Sequence, residues 1–269
     1  MPLLIAALLG IVEGLTEYLP VSSTGHLVLA GHLLGLPDDD STKSFEIVIQ
    51  LGAILAVVAY YRELLGTHLR GLLAGKAESL RLASALAIAF LPTAVAGLLL
   101  RKAIKAHLFG LTPVAAALVV GGVLMIVVER VRARRGAPGL EGLDAVTPGR
   151  ALAIGLGQCV SMWPGSSRAM CTIVAGQLTG LSTATAAEFS FLLALPTLGA
   201  ATLYEAYKAR HELTAGSSGA ALAVGLVVSF AVAWVVIASF LTYLKKRGLE
   251  PFGWYRVALG AVVLWGLAR

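Results

Sequence analysis

The sequence contains few charged residues for its length. Only 13% of its 269 residues are charged and 58% are hydrophobic, a composition unlike that of a soluble globular domain. Apolar segments long enough to cross the hydrocarbon core of a bilayer recur along the chain, whereas the alternation typical of transmembrane β-strands does not occur. We therefore predict an all-α polytopic membrane protein.

Cysteine is also scarce. Cys159 and Cys171 lie twelve positions apart in apolar segments and match no zinc or redox spacing, so we interpret them as small buried hydrophobic residues. The first ten residues lack the basic start and the small-residue cleavage site of a signal peptide, and we expect them to stay in the protein. The net charge of +6 is typical of membrane-protein loops and gives no indication of nucleic-acid binding.

The apolar segments have two lengths. Six are long enough to span a membrane, at about 45–61, 82–100, 112–129, 185–206, 219–244 and 252–268. Four shorter pieces form two pairs interrupted by polar residues, and they predict re-entrant helical hairpins at 2–36 and 150–180. We expect about six full transmembrane helices plus two re-entrant hairpins.

The two halves of the chain repeat one plan. Residues 10–35 and 155–180 align without a gap at an offset of 145, with six identical positions. Each half contains a hairpin and three spans, an odd number of crossings, so we expect an inverted-topology repeat. We predict a first repeat at 1–135, a cytoplasmic linker at 136–149 and a second repeat at 150–269, combined in one membrane domain.

The basic residues predict the orientation. Thirteen of the 21 Lys and Arg residues, Arg256 among them, fall on one predicted side and seven on the other, with Arg168 between them. The positive-inside rule makes the richer side cytoplasmic and places both termini outside. We expect access to the hairpins from the outer face.

Arg168 stands inside an apolar stretch, directly after the polar break that begins at Pro164. A charged side chain at membrane depth costs about 2.5 kcal/mol or more, so it usually has a partner and a function. Serine side chains cap helices, and helix N-termini bind anions. We predict that phosphate is bound by Ser22, Ser166, Ser167, Arg168 and Thr172.

The first hairpin supplies acids, a hydroxyl and an imidazole. Glu13 and Glu17 are four positions apart, hence on one face of a helix, and Ser23 and His26 follow. Inverted hairpins bring these residues to Arg168 near the midplane of the membrane. Paired carboxylates can hold Mg²⁺ or Ca²⁺, so we predict Glu13 and Glu17 as metal ligands in a site for phosphoryl transfer.

Each of these residues also has a structural interpretation. The glutamates can serve only as ion-pair partners of Arg168, and His26 can bond to a carbonyl group. Ser22 and Ser23 can act as helix caps, and Thr172 can bond to its own helix. Glu188, in the span after the second hairpin, is a further candidate site residue.

Three blocks resemble one known family. Residues 12–27, Val-Glu-Gly-Leu-Thr-Glu-Tyr-Leu-Pro-Val-Ser-Ser-Thr-Gly-His-Leu, resemble the first motif of the undecaprenyl-pyrophosphate phosphatase family, the integral-membrane bacitracin-resistance type. Residues 45–55 resemble its next block, and 164–168 followed by Thr172 resemble its second motif. The family continues after the arginine with Ser-Gly-Ala-Thr, whereas this chain has Ala-Met-Cys-Thr. A role of that serine cannot be carried over.

The resemblance implies hydrolysis of undecaprenyl diphosphate to undecaprenyl phosphate and inorganic phosphate, supported by Mg²⁺ or Ca²⁺, in the bacterial cytoplasmic membrane. This recycles a lipid carrier for peptidoglycan and other envelope polymers and confers bacitracin resistance. We predict Glu13, Glu17, Ser23, His26 and Arg168 as catalytic residues. Ser23 is the favoured nucleophile, and water or His26 stay open as alternatives.

A different class of function fits part of the same pattern. Inverted repeats and broken helices also occur in secondary transporters and would suit a polyprenyl-lipid flippase. The density of acid, hydroxyl, histidine and arginine at the breaks favours an enzyme, and no repeated selectivity ring indicates a channel. The sequence leaves open whether the chain acts alone or as a homodimer.

Overall fold

The regular structure of this protein is helical. The computed structural model describes residues 1–37, 39–108, 110–136, 139–208 and 219–267. Within these ranges the α-helices are α1 (Leu3–Thr16), α2 (Ser23–Leu33), α3 (Asp40–Tyr60), α4 (Arg62–Leu73), α5 (Ala77–His107), α6 (Leu111–Arg135), α7 (Pro148–Cys159), α8 (Arg168–Leu178), α9 (Thr183–Lys208), α10 (Gly219–Leu244) and α11 (Glu250–Leu267). Short 3₁₀ turns cover Leu143–Ala145 and Val160–Met162.

Five of these helices, α3, α5, α6, α9 and α10, are long and apolar enough to cross a membrane. They correspond to five of the six predicted spans. The sixth, α11, is 18 residues long and carries Glu250 and Arg256 within its length. The prediction of an all-α polytopic membrane protein is confirmed.

The two predicted hairpin breaks have the same local geometry. Ser22 caps α2 with φ 77°, and its Oγ accepts the N–H of Gly25 at 3.3 Å. Ser167 caps α8 with φ 73°, and its Oγ accepts the N–H of Met170 at 3.2 Å. A positive φ costs a non-glycine residue about 1–3 kcal/mol. The same costly conformation at two serines 145 positions apart supports the internal repeat.

Helices of one half pack on helices of the other. α1 packs along α10, α7 packs along α5, and α6 packs along α11. At the first crossing, a Cβ on Gly10 would lie 2.6 Å from the carbonyl oxygen of Gly225. At the second, a Cβ on Gly155 would lie 2.4 Å from the carbonyl oxygen of Ala89. Glycine therefore allows the close backbone approach that is typical of helix pairs in membranes.

We expect Gly155→Val to lower the thermal unfolding midpoint in detergent, because the branched side chain must push α7 away from α5. Overpacking of this kind costs about 1–3 kcal/mol. Gly199→Val in α9 is the matched control, since a Cβ there meets nothing within 4 Å. An unchanged midpoint for Gly155→Val would contradict the close crossing.

Two segments predicted as loops are more ordered than expected. The stretch after the first span forms α4, because its leucines at 64 and 65 pack against the core; the prediction had considered only its charges. In the predicted linker 136–149, the N–H of Leu140 donates to the carbonyl of Gly180 at 2.9 Å. Residues 137–138 of that linker lie outside the described residues.

The first full span begins earlier than predicted. α3 starts at Asp40 because Asp39 caps it, with its Oδ1 accepting the N–H of Thr42 at 2.8 Å. This hydrogen bond lowers the pKa of the exposed Asp39 carboxyl.

One basic residue used for the orientation is not on a surface. Arg256 is fully buried, with 0% of its surface exposed, so counting it on the cytoplasmic side was wrong. The predicted distribution becomes twelve against seven. Residues Arg210 and Arg269, and the side chains of Arg101, Lys102 and Lys105, lie outside the described part of the chain.

Candidate active site

The first hairpin places two acids one turn apart. Glu13 lies in the last turn of α1, and the N–H of Glu17 donates to its carbonyl oxygen at 2.9 Å. Both side chains are buried, at 1% and 5% exposure. The predicted common face is confirmed.

Arg168, the first residue of α8, reaches across to this hairpin. Its Nη2 lies 3.0 Å from Oε1 of Glu17, and its Nη1 donates to the carbonyl and the hydroxyl of Ser190 at 3.0 and 3.1 Å. The guanidinium carbon lies 5.5 Å from the centroid of the Tyr18 ring. The buried cation therefore has a carboxylate from the first hairpin as its charged partner.

The same carboxylate holds Ser23. The Oγ of Ser23 donates to Oε2 of Glu17 at 2.6 Å, while Oε1 pairs with Arg168. Ser23 is half-buried, whereas Glu17 and Arg168 are buried. One carboxylate thus joins a hydroxyl from the first hairpin to a guanidinium from the second.

Two buried polar atoms of this site have no hydrogen-bond partner among the described residues. They are Oε1 of Glu13, which is an acceptor, and Nε of Arg168, which is a donor. The site thus retains unused capacity for both a cation and an anion.

His26 is held on the other side of the break. Its Nδ1 lies 2.8 Å from the carbonyl of Ser22, and its Nε2 lies 2.7 Å from the hydroxyl of Tyr255. A carbonyl only accepts, so in the neutral ring Nδ1 carries the proton and Nε2 accepts from Tyr255. The two rings stack with centroids 5.7 Å apart. The hydrogen bonds of His26 go to these groups rather than to Glu17 or Ser23.

The other four predicted phosphate ligands are buried, and three of them use their hydroxyl groups in bonds within the protein. Ser22 and Ser167 use their hydroxyl oxygens as helix caps, and Ser166 is buried. Thr172 is fully buried, and its Oγ1 donates to the carbonyl of Arg168 at 2.8 Å and contacts the Oγ of Ser190 at 2.6 Å. Thr172 thus bonds to the backbone of Arg168 and to Ser190, whose hydroxyl also accepts from the arginine.

Three site residues were missed by sequence reasoning. Ser190 and Tyr255 are single polar residues within predicted spans, and Arg256 is counted among the basic residues of the predicted cytoplasmic side. Each comes from a helix that follows the two motifs in the chain. The only signal in the sequence was a polar side chain within an apolar helical segment.

Glu188 lies elsewhere. It lines a cavity of about 410 Å³ together with residues that include His68, Glu78, Arg81 and Asp144. None of the residues that line this cavity belongs to the group around Arg168. The structure therefore does not bring Glu188 into the candidate active site.

The carboxylates satisfy one requirement of a divalent-cation site. Glu13 offers a buried, unpartnered oxygen, and carboxylate oxygens suit Mg²⁺ and Ca²⁺. Among the described residues, no three His, Cys, Asp or Glu side chains are arranged to hold a metal. A cation held by Glu13 and Glu17 would therefore complete its coordination with water and substrate oxygens.

Comparisons with known proteins agree with this architecture. The sequence model of the family described as Bacitracin resistance protein BacA matches residues 6–262. The chain is 64% identical over 261 residues to an undecaprenyl-diphosphatase of Sorangium cellulosum (strain So ce56), covering 97% of this chain and 85% of that protein. It is 46% identical over 270 residues to an undecaprenyl-diphosphatase of Rhizorhabdus wittichii, covering 100% and 99%. An undecaprenyl-diphosphatase 2 of Rhodospirillum rubrum is 49% identical over 259 residues.

Fold and site together define a polytopic membrane protein whose charged site is assembled from two broken helical hairpins. The match over nearly the whole chain gives the family: the chain belongs to the BacA bacitracin-resistance family. The resemblance found in the sequence motifs is confirmed.

Proposed function

We propose that this protein is an undecaprenyl-diphosphatase, which hydrolyses undecaprenyl diphosphate to undecaprenyl phosphate and inorganic phosphate. Its family and its 64% identity to a protein of that name support the activity. The observation that carries the mechanism is the Glu17 carboxylate, which lies 2.6 Å from the Ser23 hydroxyl and 3.0 Å from the Arg168 guanidinium.

Arg168 and the two helix N-termini bind the diphosphate. The unpartnered Nε of Arg168 offers a donor to a phosphate oxygen without loss of the bonds that hold the side chain. The first N–H groups of α2 and α8 have no acceptor within their own helices, and their dipoles favour an anion. Phosphate thus binds where the two breaks meet.

Ser23 is the nucleophile in this proposal. Its proton passes to Glu17 as Oγ bonds to the terminal phosphorus, and the bond from that phosphorus to the bridging oxygen breaks. Undecaprenyl phosphate leaves with the bridging oxygen. Water then attacks the phosphorus of the phosphoserine, and the bond from that phosphorus to Oγ of Ser23 breaks. Ser23 regains its proton from Glu17, and inorganic phosphate leaves with the oxygen and the protons of the water.

His26 acts as the acid–base partner near the leaving group. Its Nε2 faces Tyr255, so the imidazole exchanges this hydrogen bond for one to substrate or water during turnover. Direct attack by water and attack by His26 are the alternatives that experiment must separate.

A divalent cation, Mg²⁺ or Ca²⁺, completes the proposal. Glu13 and Glu17 would hold it, and its charge would offset the developing negative charge on the phosphate oxygens. The unpartnered Oε1 of Glu13 supports this assignment.

The physiological role follows from the reaction. Hydrolysis returns the lipid carrier to peptidoglycan and envelope polymer synthesis, and it removes the diphosphate that bacitracin sequesters. We place the chain in the bacterial cytoplasmic membrane, with both termini outside and the site reached from the outer face. The orientation of the termini rests on the excess of basic residues on one predicted side, which the positive-inside rule makes cytoplasmic.

The test is release of inorganic phosphate from undecaprenyl diphosphate by purified protein in detergent. We expect release that a chelator abolishes and that added Mg²⁺ or Ca²⁺ restores. Release that persists in chelator would contradict the metal assignment. Lipid movement in liposomes without phosphate release would instead support a transporter.

A further inference from the structure

Arg256 joins the two hairpin breaks. This residue of α11 is fully buried. Its Nη1 donates to the carbonyl of Pro20 at 3.1 Å, and its Nη2 donates to the carbonyls of Gly165 and Ala117 at 2.9 and 3.1 Å. Pro20 belongs to the first break, Gly165 to the second, and Ala117 to α6. One guanidinium therefore bonds to both breaks and to a transmembrane helix.

The two break carbonyls occupy equivalent positions in the repeats. Pro20 and Gly165 are separated by 145 residues, the offset that aligns the two halves. Pro20 precedes Ser23 by three residues, and Gly165 precedes Arg168 by three. Arg256 thus lies between matching points of the two breaks, each one short turn away from a residue of the active site.

The surroundings of Arg256 are shaped to admit it. A Cβ on Gly121 of α6 would lie 2.3 Å from its Nη2, so a larger residue there would displace the guanidinium from its present position. On the far side, Gly165 has φ 95°, and a Cβ would lie 2.4 Å from the carbonyl of Val114. The second break is therefore fixed between α6 and the guanidinium.

Burial of an arginine carries a desolvation penalty, and an apolar side chain of similar size often stabilises a core as well or better. Carbonyl groups of broken helices within a membrane need donors, since lipid supplies none. A forked, permanently charged donor meets carbonyls from three segments at once.

We propose that Arg256 is a positioning residue for the phosphatase reaction. It holds the first break against the second, and so fixes the placement of Ser23 and Glu17 relative to Arg168. It touches none of the reacting groups. This inference rests on the proposed function and extends it to a residue outside both hairpins.

The test compares Arg256→Met and Arg256→Lys with the control Arg130→Met. Arg130 is an exposed residue of α6 that pairs with Glu250 of α11 at 2.7 Å, so the control removes an arginine contact between the same helices. Small misplacements at an active site cost about 100-fold in rate. We expect kcat to fall by about 100-fold in Arg256→Met with little change in KM, and by about tenfold in Arg256→Lys. Arg130→Met should keep the wild-type kcat.

Hydrogen exchange gives a second readout that needs no turnover. In Arg256→Met, amides of residues 18–26 and 163–171 should exchange faster than in wild type, and in Arg130→Met they should not. Because Arg256→Lys keeps the charge, it provides the same comparison if the methionine variant does not fold. Wild-type kcat in both Arg256 variants would overturn the proposal, as would unchanged exchange at both breaks. A wild-type protein that releases no phosphate would refute the proposed function, while the exchange data would still decide the role of Arg256.

Discussion

Arg168→Ala should abolish phosphate release while the protein still folds in detergent. The guanidinium is the only cation that pairs with Glu17 among the described residues, and its Nε is the free donor offered to phosphate. Arginine residues that stabilise charge in phosphoryl transfer contribute about 10³-fold or more to the rate. The assay is inorganic phosphate release from undecaprenyl diphosphate under single-turnover conditions.

The variant Arg168→Lys separates charge from geometry. A lysine keeps the positive charge but cannot bond to Glu17, Ser190 and phosphate in one fork, so we expect it also to lose most activity. Arg130→Ala, at an exposed position, should release phosphate at the wild-type rate. Turnover retained by a folded Arg168→Ala protein would refute the phosphate-binding role.

Ser23→Ala should reduce turnover by about 10³-fold or more if the serine is the covalent nucleophile, because its loss leaves only direct attack by water. Acid quenching of the wild-type reaction with substrate labelled in the terminal phosphate should trap labelled protein, and Ser23→Ala should trap none. Ser239→Ala is the matched control, because that exposed hydroxyl only donates to the carbonyl of Val235 at 2.8 Å.

The outcomes of this experiment distinguish the three nucleophiles. Near-normal release by Ser23→Ala would eliminate the covalent serine. A label that survives an alkaline quench of the Ser23→Ala reaction but not an acid quench would assign the attack to His26. Absence of label under both quenches in the active wild-type protein, together with a large loss in Ser23→Ala, would favour water, with Ser23 as its positioning group.

The local features of the site were predictable from the sequence. Helix breaks at Ser22 and Ser167 are encoded by prolines, glycines and capping serines within a few residues, and both caps form as predicted. The common face of Glu13 and Glu17 depends only on helical spacing. Such features follow from short stretches of chain.

The supporting contacts were not predictable. Ser190 reaches Arg168 from α9, and Arg256 reaches Pro20 across 236 positions of sequence. An arginine near the start of an apolar segment has the same local pattern whether it faces a loop or the interior. Only packing of the distant helices decides between these two environments.

The two halves carry different side chains at the positions that align with the predicted catalytic residues of the first hairpin. At the offset of 145, Gln158 corresponds to Glu13, Arg168 to Ser23, and Cys171 to His26. Gln158 donates to the hydroxyl of Thr93 at 2.9 Å inside the bundle. The two halves share their capping serines but carry different side chains at these positions, so the candidate site needs residues from both halves.

Helices of the first half pack on helices of the second half, so the first half lacks its packing partners while the ribosome is still synthesising the chain. α1 leaves the ribosome first, but its packing partner α10 begins at Gly219. The acids of the first hairpin are likewise synthesised about 150 residues before Arg168. A nascent chain therefore holds the acids of the first hairpin without Arg168 until its second half is made, and a chain that ends before α11 lacks the guanidinium that joins the breaks. The group of side chains around Glu17, together with the arginine that joins the breaks, is therefore complete only after α11 has been synthesised.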